Sequence, residues 1–497
     1  MQRAVMQAPS LPLSRVAPLD EWERAADESP ARSWPRPLDA GLALTVFVAH
    51  PLLCNPAYTF LTGVGAGLLG AMTVLLITRY GRTGGRRLPW LEYLFVHLYV
   101  QFGVATTTEP PVVGFWEITP TAESHERAML IAIVCSFAMI GGYALAKPVF
   151  KRVTSLKIFP PLTDVQIAAA ARVYFWPCAL FVVAYALYPR IKDVLYVGFA
   201  VFVGFFDRNM LAAVCGMAYL AIPSKASLFR LIAVAGIVIV TSLMSSMLGD
   251  LLLPLGTVVV LWWMKRKRFP VMAVAAGGLI MVLIQPVKGY YRALRWGANA
   301  TEIGMVDAWE EAFARSHEAG SDGSDEARHR LGELSVLAYT IEIVPRAVPH
   351  LDGESYKYIP MTLVPRVIWP DKPNLTKIGT DWIVVRLGLH DDAIVDQTSV
   401  GISLLSHGYF EHGTFGSIAF LLIDGFIFGF MALLFTGSRA RTLAGSFHLV
   451  NLVHATESGL IGFSASLWQC VFMAIATVWV LYALGRIFPI RGGSQPA

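Results

Sequence analysis

Cysteine is scarce. The chain has five in 497 residues (Cys54, Cys135, Cys178, Cys215 and Cys470), all in apolar segments. None falls in the long polar interval, which excludes a disulfide framework and a cysteine-based metal site. No HExxH motif or Cys/His cluster occurs, so no dedicated transition-metal site and no cofactor is implied. A P-loop, a GxGxxG opening a strand–helix unit and a GxSxG are also missing, and coupling to nucleotide hydrolysis has no support. Charge is thin as well: 15% of residues are charged, against about 25% in soluble domains. The net charge of +5 is too small to argue for a nucleic-acid partner. There is no internal repeat, and residues 1–38 hold no apolar core for a signal peptide. They read as a disordered cytoplasmic tail.

What remains is apolar. Hydrophobic residues make up 55% of the chain, with a mean hydropathy of +0.55. A span needs roughly twenty apolar residues, and about twelve such runs can be placed. The expectation is an all-α polytopic membrane protein with about 12 transmembrane helices and one large periplasmic loop containing amphipathic helices. Nine spans fill 39–286, the loop with the site elements covers 287–412, three spans fill 413–485, and 486–497 form a cytoplasmic tail. Arg79 to Arg87, Lys147 to Lys157, the Lys265–Arg268 run, Arg439 and Arg441 mark the cytoplasmic side, as basic residues in short loops do. Both termini then come out cytoplasmic. Asp207-Arg208-Asn209 interrupts the run at 194–223, which crosses either once or as a hairpin. One crossing would place Arg208 near the membrane, with Asp207 or Asp250 as its partner.

The polar interval has its own order. Lys288, Arg292 and Arg295 recur at spacings of four and three, one helix face, with Tyr291 and Trp296 as interface aromatics. A helix led by Arg328 and Arg330 follows, its Leu331, Leu334, Leu337, Ile341 and Val344 on one side. Next comes GESYKYIPMTLVPRVIWPDKP (353–373), where prolines stiffen the backbone around Arg366, Lys372, Tyr356 and Trp369. Across 287–400, seventeen carboxylates face twelve Lys and Arg, so the interval is no general anion trap. Arginine forks nonetheless suit phosphate oxygens. This makes Arg292, Arg295, Arg330, Arg366 and Lys372 candidates for holding a diphosphate, and Tyr291, Tyr356 and Trp369 candidates for stacking on sugar. His407, with a reference pKa near neutrality, and Glu411 are the candidate proton acceptors; they share an expected helical face with Thr414. In the eleventh span, His448, Asn451, His454 and Glu457 form a stripe expected to hydrogen-bond between helices, with Glu457, nearest the outer end, the member that could instead line the site.

At LVPRVIWPDKP the chain resembles the Wzy-type polymerases of bacterial oligosaccharide repeat units, relatives of the O-antigen ligases. Members carry a similar P-R-x-x-W-P-D-K-P run in a large periplasmic loop. A Gly-x-x-Tyr precedes it (here Gly353 to Tyr356), as does an arginine-led amphipathic helix (here Arg330 to Val344). His407 stands where members usually have Glu. The resemblance covers about residues 285–430. It implies a bacterial inner-membrane enzyme that polymerises undecaprenyl-diphosphate-linked oligosaccharides into a surface polysaccharide without a metal. It also implies both a lipid-linked donor and a lipid-linked acceptor, with a flippase and a chain-length regulator as partners. Under it, Arg292, Arg330 and Arg366 would hold diphosphates, Arg366 acting in catalysis, and His407 or Glu411 would take the proton. An O-antigen-type ligase differs only in acceptor. Another lipid-linked-sugar glycosyltransferase is the nearest enzyme rival, although the outer loops CNPAY and the one ending TPTAESHER lack the acidic pair such enzymes carry. A transporter or flippase, which places polar groups and broken helices at the bilayer midplane, is the alternative from another class.

Overall fold

A computed structural model describes residues 35–83, 87–113, 117–150, 157–187, 207–245, 248–296, 303–318, 332–364, 368–369, 371–373, 375, 381–389 and 401–489. Among them the chain is helical, with only two isolated β-bridges. In chain order the helices are α1 (Pro37–Leu53), α2 (Phe60–Thr83), α3 (Trp90–Leu98), α4 (Ala122–Val149), α5 (Asp164–Leu187), α6 (Arg208–Ala221), α7 (Lys225–Ser245) and α8 (Leu248–Arg266). Then come α9 (Val271–Trp296), α10 (Met305–Glu318), α11 (Glu333–Ile343), α12 (Ile359–Leu363), α13 (Trp382–Arg386), α14 (Leu404–Leu434), α15 (Arg439–Ala455) and α16 (Gly459–Ile487). Among the described residues, six helices are long and apolar enough to cross a bilayer: α2, α4, α5, α7, α14 and α16. The other apolar runs read as spans are helical where they are described, but shorter or more polar, and the first part of the run at 194–223 lies outside the described residues.

The boundaries move in informative ways. α9 continues ten residues past the expected end at 286, so Lys288, Tyr291, Arg292 and Arg295 ride on the same helix as the apolar run. α15 stops at Ala455, which leaves Glu457 in the turn before α16 rather than inside a long span at 443–465. α6 begins at Arg208 because Asp207 caps it, accepting the Asn209 N–H at 3.0 Å. Arg208 pairs with Asp250 at 2.7 Å, one of the two partners expected for it. Fourteen residues give about 21 Å of helix, short of the ~30 Å hydrocarbon core.

Contacts sort the helices into two ends. At one end Arg82 pairs with Asp39, Arg439 with Asp164, and Lys265 donates to the Leu220 carbonyl. The opposite end holds the α1–α2 turn, where the Asn55 N–H meets the Thr106 carbonyl, the α15–α16 turn, and the polar interval. Between the ends, α4 and α14 pack backbone to backbone through glycine. A Cβ on Gly142 or Gly425 would come within 2.0 Å of the Leu422 or Met139 carbonyl across the interface. Small residues allow this close approach where no hydrophobic effect drives helices together. Asp424, beside that contact on α14, is 1% exposed, and neither carboxylate oxygen has a hydrogen-bond partner among the described residues. Both ring nitrogens of His448, also 1% exposed, lack one too. Two members of the stripe at 448–457 make the expected hydrogen bonds between helices: Asn451 accepts the Asn209 amide at 3.0 Å, and Glu457 accepts the Gln101 amide.

Candidate functional site

α14 is an elbow. Its backbone leaves helical geometry at His412 (φ −143°) and Gly413 (φ +62°, ψ −149°), the latter a conformation only glycine adopts easily. Residues 404–411 fold back along 416–420. Ser417 donates to the Leu405 carbonyl at 2.8 Å, the Gly408 and Gly416 backbones touch, and the His407 and Phe420 rings lie 5.7 Å apart. The crossing leg is then 414–434, about 31 Å long, close to the expected span at 413–436. The expected shared face of His407, Glu411 and Thr414 does not form, because the bend separates Thr414 from the other two.

A bend frees carbonyls, and the polar interval supplies donors for them. The Leu351 N–H bonds the Phe410 carbonyl at 3.0 Å and the Asp352 N–H bonds the Glu411 carbonyl at 3.2 Å. His350 Nδ1 also lies 3.2 Å from the Phe410 oxygen. The start of the proline-rich stretch thus seats on the elbow. There the Gly353 N–H donates to Glu411 Oε2 at 2.7 Å and the Ser355 hydroxyl donates to Glu411 Oε1.

His407 completes this set. Its Nδ1 accepts the Leu460 N–H at 2.9 Å, so in the neutral ring the proton sits on Nε2. Nε2 lies 3.3 Å from Glu411 Oε1 and 3.2 Å from Ser355 Oγ. The trio is not wired as a nucleophilic triad. A triad needs the carboxylate on Nδ1 and the hydroxyl alone on Nε2, whereas here serine and carboxylate share Nε2 and a backbone N–H occupies Nδ1. His407, Glu411 and Ser355 are all 0% exposed. In this conformation they form a buried clasp that joins the polar interval, the elbow and the α15–α16 turn.

The remaining candidates fall into separate groups. Tyr356 packs against His412 and Phe420 beside the clasp. Lys372 donates from Nζ to the Val364 carbonyl at 2.8 Å and from its backbone to the Trp369 carbonyl, closing the turn that holds half-buried Trp369. Tyr291 is 1% exposed and stacked on Trp309 with centroids 4.5 Å apart, so that ring face is covered. Arg295 spends one N–H on the Ile303 carbonyl at 2.7 Å, and Arg292 is half-buried one turn earlier. α9, which carries these three, packs chiefly on α10 and α8 rather than on α14. Arg330 and Arg366 lie outside the described residues.

The sequence reading missed one group and half of another: it named Glu457 and His454 but not their partners His97 and Gln101. Glu354, held below the usual carboxylate range by its hydrogen bond from Arg386, links Arg386 (2.6 Å) and Lys357 (3.5 Å). Those cations lie over Trp382 and Tyr358 respectively. Arg386 could have been singled out only by its nearness to Trp382, a weak signal. The second group surrounds Glu457. Glu457 Oε1 accepts the Gln101 amide and lies 3.2 Å from His97 Nε2, while Oε2 lies 3.3 Å from His454 Nδ1. Glu333, its neighbour, is 8% exposed and accepts the Ser403 N–H at 3.2 Å; burial, then the Glu457 charge, pushes its carboxyl up to about 8.

Long apolar helices, glycine-mediated helix contacts and a folded elbow clasped by a polar interval define an all-helical, membrane-embedded protein. The chain belongs to the DUF8712 family, described as a domain of unknown function, whose model matches residues 161–462. That match runs from just before α5 into α16, covering the clasp, Glu333 and Glu457 but not His97 or Gln101. No curated protein and no solved structure matches the chain significantly.

Proposed function

We propose that this protein polymerises undecaprenyl-diphosphate-linked oligosaccharides into a surface polysaccharide by glycosyl transfer, with lipid diphosphate leaving. It would act in the bacterial inner membrane, with both termini cytoplasmic and the polar interval in the periplasm. One observation carries the reading. The stretch that resembles the polymerases, 353–373, begins by clasping the elbow of α14 at the same end of the bundle as the Glu457 group. The opposite end gathers Arg82, Lys265 and Arg439, which supports its assignment as the cytoplasmic side. Arg292, Arg330 and Arg366 would neutralise the diphosphates, whose charge grows as the bond to sugar breaks. A flippase and a chain-length regulator would be its partners. An O-antigen-type ligase would use the same machinery with another acceptor.

Deleting the gene in its host tests this. Loss of long-chain glycan with accumulation of single lipid-linked units is expected, and an unchanged glycan ladder would overturn the assignment. A transporter is the second reading, favoured by Asp424 and His448 buried within the bundle. Membranes without an ion gradient separate the two, because a polymerase still lengthens chains there.

A further inference from the structure

A proton acceptor must reach its proton directly or through one water, and in this conformation His407 and Glu411 are 0% exposed. Glu457 is different. It sits in the turn between α15 and α16 with its side chain 27% exposed, and the His454 side chain beside it is 49% exposed. Its position is built from three parts of the chain. α3 ends in a π-helical turn, Tyr99–Gly103, whose added residue re-aims the side chains, a device often found at functional sites. From there Gln101 donates to Oε1, with His97 on the same oxygen at 3.2 Å. His454, one turn earlier on α15, meets Oε2 at 3.3 Å. Among the described residues, the titratable groups facing the carboxylate include His97, His454, Tyr93 and Glu333. Glu333 is held neutral to about pH 8, so it does not compete as a base. The N-terminus of α8 lies against His454 at Gly249, which brings the Arg208–Asp250 pair to the border of the same group.

We propose that Glu457, seated between His97, His454 and Gln101, is the proton acceptor for the sugar hydroxyl that attacks the lipid-linked donor. This rests on the polymerase reading. The hydroxyl O–H bond breaks and its proton passes to the Glu457 carboxylate. The oxygen's electron pair forms the new bond to the anomeric carbon, while the bond from that carbon to the diphosphate oxygen breaks and its pair leaves on the lipid diphosphate. His454, the most exposed member, returns the proton to water.

The test uses full-length protein in membranes of the deletion strain, which supply the accumulated lipid-linked units, and purified protein for binding of undecaprenyl diphosphate. Glu457→Gln is expected to cut chain formation at least 100-fold at equal abundance, with undecaprenyl diphosphate affinity within twofold of wild type. Glu457→Asp, which keeps the charge but shortens the reach, is expected to lose tenfold or more and carries the test if the Gln variant is poorly produced. Glu311→Gln, at an exposed pair with Arg315 on α10, is the control and is expected to match wild type. Full-length chains in the Gln or Asp variant overturn the proposal and leave the polymerase reading standing. Loss of undecaprenyl diphosphate binding in either variant also overturns it, since the residue would then hold the site together rather than take a proton. If deletion leaves the glycan unchanged, both readings fall.

Discussion

The backbone N–H of Leu460 donates to Nδ1 of His407 at 2.9 Å, which fixes the tautomer of a histidine that touches no solvent. That bond ties the start of α16 to the elbow of α14 and directs the Nε2 proton at Glu411. The residue chosen from the sequence as a base is thus, in this conformation, held between three segments of the chain.

Removing it should register as instability. His407→Ala leaves the buried Leu460 N–H without its partner, a cost of about 1–3 kcal/mol, and removes one of the two donors to Glu411 Oε1, which keeps Ser355. Thermal unfolding in detergent should show a lower midpoint, and lost glycan should track lost protein. Glycan abolished at wild-type stability and abundance would return His407 to the chemistry.

Gly413 holds φ +62° and ψ −149° at the bend, with only His350 near the position a Cβ would take. Gly413→Ala therefore meets strain rather than collision, of order 1–3 kcal/mol. The expected result is a modest fall in melting temperature with the fold retained. Gly425→Leu, by contrast, must force α4 and α14 apart, because its Cβ alone would meet the Met139 carbonyl at 2.0 Å. Fluorescence-detected size exclusion should show that variant aggregated.

Glu333 makes stability depend on pH. Its carboxyl is pushed up to about 8 in the folded protein by burial and by the Glu457 charge, against about 4.3 when unfolded. Below pH 4 both states keep the proton and there is no penalty. Between about 4.3 and 8 the unfolded state releases its proton while the folded state holds on, so stability falls as pH rises, by at most ~1.4 kcal/mol per unit. Above 8 the penalty is constant. Glu333→Gln should flatten this slope in melting curves taken from pH 5 to 9, and an unchanged slope would assign it to other groups.

Asp424 is buried on α14 without a hydrogen-bond partner among the described residues. Replacing such a group with an apolar one of similar size often stabilises. Asp424→Leu should raise the melting temperature if the carboxyl has no role. A gain in stability accompanied by loss of polysaccharide would mark it as functional and strengthen the transport reading.

The sequence by itself determined that the chain is helical and embedded in a membrane. Hydropathy is summed over local runs, and burial in lipid obliges each run to satisfy its own backbone as helix. It also marked a break at Asp207-Arg208-Asn209, where Asp207 caps the start of α6, since capping is a matter of neighbours along the chain. Only the tertiary structure decided which polar groups meet. His97 and Gln101 stand hundreds of residues from Glu457, and no spacing rule links the end of α3 and its π-helical turn to a turn after α15. The bend at Gly413 likewise turned a reading of one continuous face into a clasp, because a single backbone conformation redirects every side chain beyond it. Periodicity describes a straight helix. Whether a histidine ends beside water or beneath a loop depends on what folds over it, and that is a property of distant residues.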